Sequence, residues 1–334
     1  MKSLWIQNLI AAPKERETEE MRDGLAPLLT IDEVKDPNPH PIPNVEELFL
    51  VWTEEGDGVA LFEKEELIAF LPPWSGIQNI HGYNRNAKEN AITASPLGDG
   101  KHGVLVDRVT QSQKFWESAS DTNRFSKWQK KELEFLEAKL GPHDKYWSAD
   151  GGKYPKLAIV SFLPPSIPGT KIFVTIGMSM QNQPSIELYH KDFENHARIE
   201  LALGIQLPKD SQDQSETWVQ HVLGEMIKFP WNTGIWFGHA HTIQNPRKDP
   251  LQLYQNFSWM IFYEESSNAL SRKEYSLEGL ESDNGRPVRF LHLLPIGEEE
   301  KLYITSESSQ KFFEVWNRSG FPMTHDSERK PLEF

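Results

Sequence analysis

From residue 47 onward short apolar runs are parted by brief polar turns: ELFLVWT (47–53), GVALFE (58–63) and ELIAFLP (66–72) are separated only by the turn-rich EEGDG and by KE. Short apolar runs parted by such turns predict an antiparallel β-meander, which Pro72 and Pro73 stop. The period then lengthens. In FSKWQKKELEFLEAKLG, Phe125, Trp128, Phe135, Leu136 and Leu140 fall along one helical side, and Gly141–Pro142 ends the helix. The second half predicts strands at KLAIVSFLP, KIFVTIGMSM and ARIELALGI. A helix follows at SETWVQHVLGEMIKFP, with Ser215 as its N-cap, Pro230 as its stop, and Trp218, Val219, Val222, Leu223, Met226 and Ile227 on its buried side. Further strands are expected at IWFGHAHTI, NFSWMIFYE and VRFLHLLPI, and a closing helix at SSQKFFEVWNRSG turns Phe312, Phe313 and Trp316 inward and stops at Gly320.

Between these elements the polar stretches suggest the organisation. The first forty-odd residues, ending in DPNPHPIPN, read as an extended leader, since four prolines forbid a helix. HDKYWSADGGK reads as a linker, which places an N-terminal α+β region with a meander and a C-terminal helix at 1–150 and a second domain at 151–334. EESSNALSRKEYSLEGLESDNG, from Glu264, is polar and long enough to be a mobile surface loop.

Composition narrows the chemistry. The 334 residues contain no cysteine, which excludes disulfides, thiolate nucleophiles and cysteine-based zinc sites. A formal net charge of −14 argues against nucleic acid, whose phosphates are bound by Lys and Arg, and suits a basic protein partner or simply a solvated surface. No run is long and apolar enough to span a bilayer and the first residues do not resemble a secretory signal, so a cytoplasmic, acidic protein is expected.

The segments KIFVTIGMSM, RIELALGI, WVQHVLGEMIKFPWNTGIWFGHAHTI, NFSWMIFYEE and VRFLHLLPIGEEEKLYITSESSQKFFEVWN, in this order, resemble the Suppressor of fused domain over about residues 155 to 320. The first half, with its PPWSG turn, is similar to the extra N-terminal region of longer bacterial members. The resemblance implies an α+β fold of mixed, mostly antiparallel sheets with packed helices, no catalytic activity and no cofactor. In animals, proteins of this family restrain a transcription factor by gripping an extended peptide, partly as an added strand. Bacterial relatives look like immunity (antitoxin) proteins that neutralise toxins, or have no assigned role. Gly238 and His239 match the family pattern at their position, and His241 departs from it.

Candidate chemistry centres on GIWFGHAHT, Gly234 to Thr242. On a strand, His239 and His241 would share one face, the arrangement a metal-dependent hydrolase uses. Two ligands are too few. His190 and His196, flanking Asp192 and Glu194, and His292 in FLHLL are the other imidazoles considered, with nothing in the sequence to bring them together, so no metal is assigned. No HExxH or GxSxG is present, and SPLGDGKHG lacks Walker spacing and reads as a turn. The favoured reading is a protein-binding module whose partner, a basic toxin or an extended peptide, meets Trp74, Trp231, Trp236, His239 and Trp259 and the acidic Glu298, Glu299 and Glu300. The hydrolase and a scaffold for a transcription regulator are the alternatives.

Overall fold

The computed structural model describes residues 32–36, 44–75, 82–92, 94–119, 121–151, 155–207, 212–245 and 257–334. The expected N-terminal leader and most of its proline run lie outside these residues. The chain divides into two compact units, Met1–Ser118 and Ala119–Phe334.

The first unit contains the meander. Strands β1 (Leu48–Trp52), β2 (Val59–Glu63) and β3 (Glu66–Leu71) pair antiparallel in sequence order, and two short strands, β4 (Tyr83–Asn84) and β5 (Ser95–Pro96), complete a five-stranded sheet. Ala60, Phe62, Leu67 and Phe70 pack with Val109 of helix α1 (Val104–Ala119). Trp74 closes this core. Its ring stands edge-on to Phe70 and Tyr83, at 6.3 and 6.5 Å between centroids, and the Arg108 guanidinium lies 5.3 Å over it. SPLGDGKHG is irregular after β5, with Gly98, Gly100 and Gly103 at positive φ.

A seven-stranded sheet organises the second unit. Its order is β10-β11-β12-β9-β8-β7-β6, from β6 (His143–Ser148), β7 (Ala158–Phe162), β8 (Thr170–Ile176), β9 (Ile199–Gln206), β10 (Thr242–Gln244), β11 (Trp259–Glu264) and β12 (Arg289–Ile296). Only β12 and β9 pair in parallel within it. The fold is therefore α+β with mixed, mostly antiparallel sheets. Both faces of the sheet are covered, which is why β8 and β9 are buried along almost their whole length. On one face Ile172, Val174 and Ile176 meet Trp128, Leu136 and Leu140 of α2 (Thr122–Leu140) and Phe312, Phe313 and Trp316 of α6 (Ser309–Arg318). On the other, Phe173, Leu201 and Leu203 meet the predicted apolar side of α3 (Gln212–Met226). Each such side chain, fully buried, contributes roughly 1.5–3 kcal/mol.

Several expectations change in three dimensions. HDKYWS is strand β6, not a linker; an edge strand with mostly exposed positions lacks the apolar alternation that reveals a strand. Helix α2 packs in the second unit, ahead of the boundary drawn at 150. Helix α3 starts at Gln212, so Ser215 lies inside it, and Pro230 sits in the first turn of a separate short helix, α4 (Phe229–Thr233). GEEE opens a helix that the pattern did not reveal, α5 (Glu298–Ser306). The polar stretch after Glu264, expected as a surface loop, is anchored in the core. Leu270, Tyr275, Leu277 and Leu280 are buried, and Glu265 accepts from the Leu277 backbone at 2.7 Å and meets His292 Nε2 at 3.1 Å. His292, fully buried with Tyr275 on its other nitrogen at 3.2 Å, is a packing residue.

Candidate functional site

Gly234 ends α4 in the left-handed conformation, at φ 72°, with its N–H on the Pro230 carbonyl. The next four residues pair with no strand. The buried amide of Gln183 holds Phe237 from both sides, accepting its N–H at 2.7 Å and donating to its carbonyl at 3.1 Å. Ala240 then takes φ 65°, and β10 begins only at Thr242. The strand expected through IWFGHAHTI is thus absent from Ile235 to His241, and the shared face for His239 and His241 goes with it. The His239 ring stacks on Phe313 at 5.2 Å, and its Nδ1 accepts the Glu264 N–H at 3.3 Å. His241 packs instead against Trp236, at 4.3 Å between centroids.

Trp236 is the hub of what these turns build. Its indole folds back over Gly238, where a Cβ would stand 2.2 Å from Cζ3; only glycine leaves that space. His190 meets the ring edge-on at 5.0 Å and Tyr189 lies at 5.4 Å. A cleft of about 160 Å³ opens here, bounded by His190, His196, Trp236, His239, Glu264 and Arg289. Outside the lining, Tyr189, whose ring lies against Trp236, is 67% exposed, and Ile235, next to Trp236 in the chain, is 52% exposed.

The charges are fixed at the back of this cleft. Arg289 is ion-paired with Glu264 and donates Nε–H to the Asn195 carbonyl at 2.6 Å. Burial holds His239 below the usual imidazole range against the opposing Glu264 charge. It does the same to His241, and to His196 with the help of the Arg289 and His190 charges. These rings are therefore neutral at pH 7. The chemistry on offer is aromatic surface and uncharged nitrogen, suited to gripping a side chain.

The candidate residues separate into several places. Trp236 and His239 line the cleft. Trp231 packs beside the α3 core and donates Nε1–H to the Asn182 carbonyl at 2.9 Å. Trp259 stands at the opposite end of β11 from Glu264; its Nε1 donates to Glu298 at 2.6 Å, and Lys301 lies 4.9 Å over its ring. Glu298 and Glu299 are exposed, but Glu300 is fully buried and cannot face a partner, because it holds Arg329. Trp74 belongs to the first unit. Tyr189, Ile235 and Arg289 were missed, each being one residue of an ordinary loop or strand pattern. His190, Asp192 and His196, which nothing in the sequence united, come together with ligand atoms all within 4.8 Å of one another.

The family model of Suppressor of fused protein (SUFU) matches residues 153–330, more than half of the chain, and includes every residue of the cleft. The chain belongs to the Suppressor of fused family. No curated protein matches it. Among solved structures it is similar to a SUFU homologue from Neisseria gonorrhoeae FA 1090, at 15% identity and TM-score 0.44, covering 63% of this chain and 98% of that one. A Sufu–Fu complex is similar at 11% identity and TM-score 0.42, over 61% and 91%. The Suppressor of fused region thus carries the whole seven-stranded sheet except β6, which precedes it together with helix α2.

Proposed function

We propose that this member of the Suppressor of fused family is a binding module that performs no chemistry and grips a protein partner at the Trp236 cleft. The observation that carries the reading is the exposure of Tyr189 and Ile235 beside Trp236, a cleft residue held in place by its neighbours. Exposed aromatic and aliphatic groups around a preformed pocket are the usual anchors of a protein interface. Among the described residues strand β10, which begins one residue on from His241, is an edge of its sheet and offers a place for an extended partner segment to add. The net charge of −14 favours a basic partner through steering. A basic toxin occluded by an immunity protein is the most specific form of this proposal. The hydrolase alternative has lost its premise, the shared strand face of His239 and His241.

Co-expression with the toxic product of a neighbouring gene tests it. The wild-type chain should restore growth and co-purify with that product, whereas Y189A and I235D, changed at exposed positions and folded to the same thermal midpoint, should lose both. Equal rescue by these variants removes the cleft from the binding surface. Failure of the wild type to bind any neighbouring product removes the immunity reading.

A further inference from the structure

Beside the cleft, the segment from Ile186 to His196 carries two imidazoles and a carboxylate on a backbone that is already fixed. Two short turns, Ile186–Leu188 and Phe193–Asn195, place them: His190 N–H donates to the Ile186 carbonyl at 3.1 Å and His196 N–H to the Phe193 carbonyl at 2.8 Å. The second turn is tied to the body of the domain by Arg289, bonded to the Asn195 carbonyl at 2.6 Å, and by the ion pair of Arg286 with Glu194. The first is tied by Ser185, whose hydroxyl donates to the Gly234 carbonyl at 3.1 Å.

We propose that His190, Asp192 and His196 form a binding site for a first-row divalent transition metal ion, with Zn²⁺ as its simplest occupant. Their ligand atoms lie within 4.8 Å of one another, and His196 Nε2 is 3.6 Å from Asp192 Oδ2. Ligands about 2.0–2.2 Å from a tetrahedral zinc are separated by roughly 3.4 Å, so one edge of the tetrahedron already has its length. The two rings are stacked, 4.2 Å between centroids and 23° between planes, and must open further for both lone pairs to reach one ion. His190 is only half-buried and Asp192 is exposed, which leaves them room to do so. Two nitrogens and one carboxylate oxygen suit zinc, cobalt or nickel rather than magnesium or calcium, which take oxygen shells. No thiolate competes anywhere in the chain. The bound ion would lock the segment bearing Tyr189 against Trp236, since His190 touches that ring.

The test is titration calorimetry on the full chain, purified without a polyhistidine tag and stripped with chelator, using ZnCl₂, then MgCl₂ and CaCl₂. One Zn²⁺ per chain should bind and raise the thermal midpoint, because an ion that binds only the folded state stabilises it. Mg²⁺ and Ca²⁺ should not compete. H190A, H196A and D192N should each weaken Zn²⁺ at least tenfold, and H221A, which removes an exposed histidine of helix α3, should bind as the wild type does. Absence of stoichiometric Zn²⁺ binding overturns the proposal, and so does binding indifferent to H190A and H196A. No partner protein enters these measurements, so their failure leaves the partner reading untouched.

Discussion

Arg329 grips Glu300 with both arms, Nη1 to Oε1 at 2.6 Å and Nη2 to Oε2 at 2.9 Å, where neither side chain is more than 4% exposed. The same carboxylate accepts the Gly297 N–H at the start of α5 and the Leu332 N–H near the chain end. One buried glutamate thus ties a helix start to the C-terminal segment. Removing one partner of a buried pair strands the other charge in a medium that cannot solvate it. R329M should therefore cost about 3–5 kcal/mol. The E300Q/R329M double variant should be more stable than the sum of the two single losses predicts. Urea denaturation of the four proteins of this cycle is the check; simple additivity would show that the pair is not coupled.

Stability should fall as the pH rises through neutrality, because two carboxyl groups, Glu132 and Glu200, are fully buried and the charge of one raises the other. Glu200 accepts from Thr175, Gly177 and Ser179, yet burial outweighs these bonds and pushes it up to about 7. Burial pushes the fully buried Glu132 well above its ordinary value, and the Glu200 charge pushes it further. A folded-state value above the unfolded 4.5 means that the native protein binds more protons in between. The contribution is complete below about pH 4.5 and is lost as the pH climbs through about 7. E132Q, which keeps the shape without the charge, should gain stability relative to wild type at pH 8 and show a smaller difference at pH 5. Thermal midpoints at the two pH values decide; a constant difference counts against the mechanism.

Gly238 and Trp236 should behave as a coupled pair. A methyl group at 238 collides with the indole at 2.2 Å, so G238A must displace the ring or strain the loop, at about 1–3 kcal/mol. Once the indole is gone the methyl has space. W236A/G238A should then be as stable as W236A alone, and chemical denaturation reads this non-additivity directly.

Ala240 holds φ 65°, a conformation that costs an L-residue roughly 1–2 kcal/mol. A240G relieves that strain and concedes part of the gain to the unfolded chain's greater freedom. The net expectation is a stabilisation of up to about 1 kcal/mol, seen as a higher denaturation midpoint; a loss would mean that the methyl group contributes packing that outweighs the strain.

Much of the architecture was legible in the chain because its cues are local. The period of β2 and β3, the apolar side of α3 and the inward Phe312, Phe313 and Trp316 of α6 each follow from a few consecutive residues. Strand β6 and helix α5 escaped because their visible residues are polar, one at a sheet edge and one at a helix start that welcomes glutamate.

By itself, the order of residues determined the family, the alternation of strands and helices and the exclusion of cysteine chemistry, since each is carried by composition or short-range pattern. Tertiary structure decided which of the candidate residues come together. It turned Glu300 inward while Glu298 and Glu299 stayed out, and it parted His239 from His241 through one left-handed alanine. It also set His190 and His196 beside Trp236, about forty residues further along. Adjacent positions on a helix point about 100° apart, and distant positions meet only where packed elements carry them, so neither result is written in spacing along the chain.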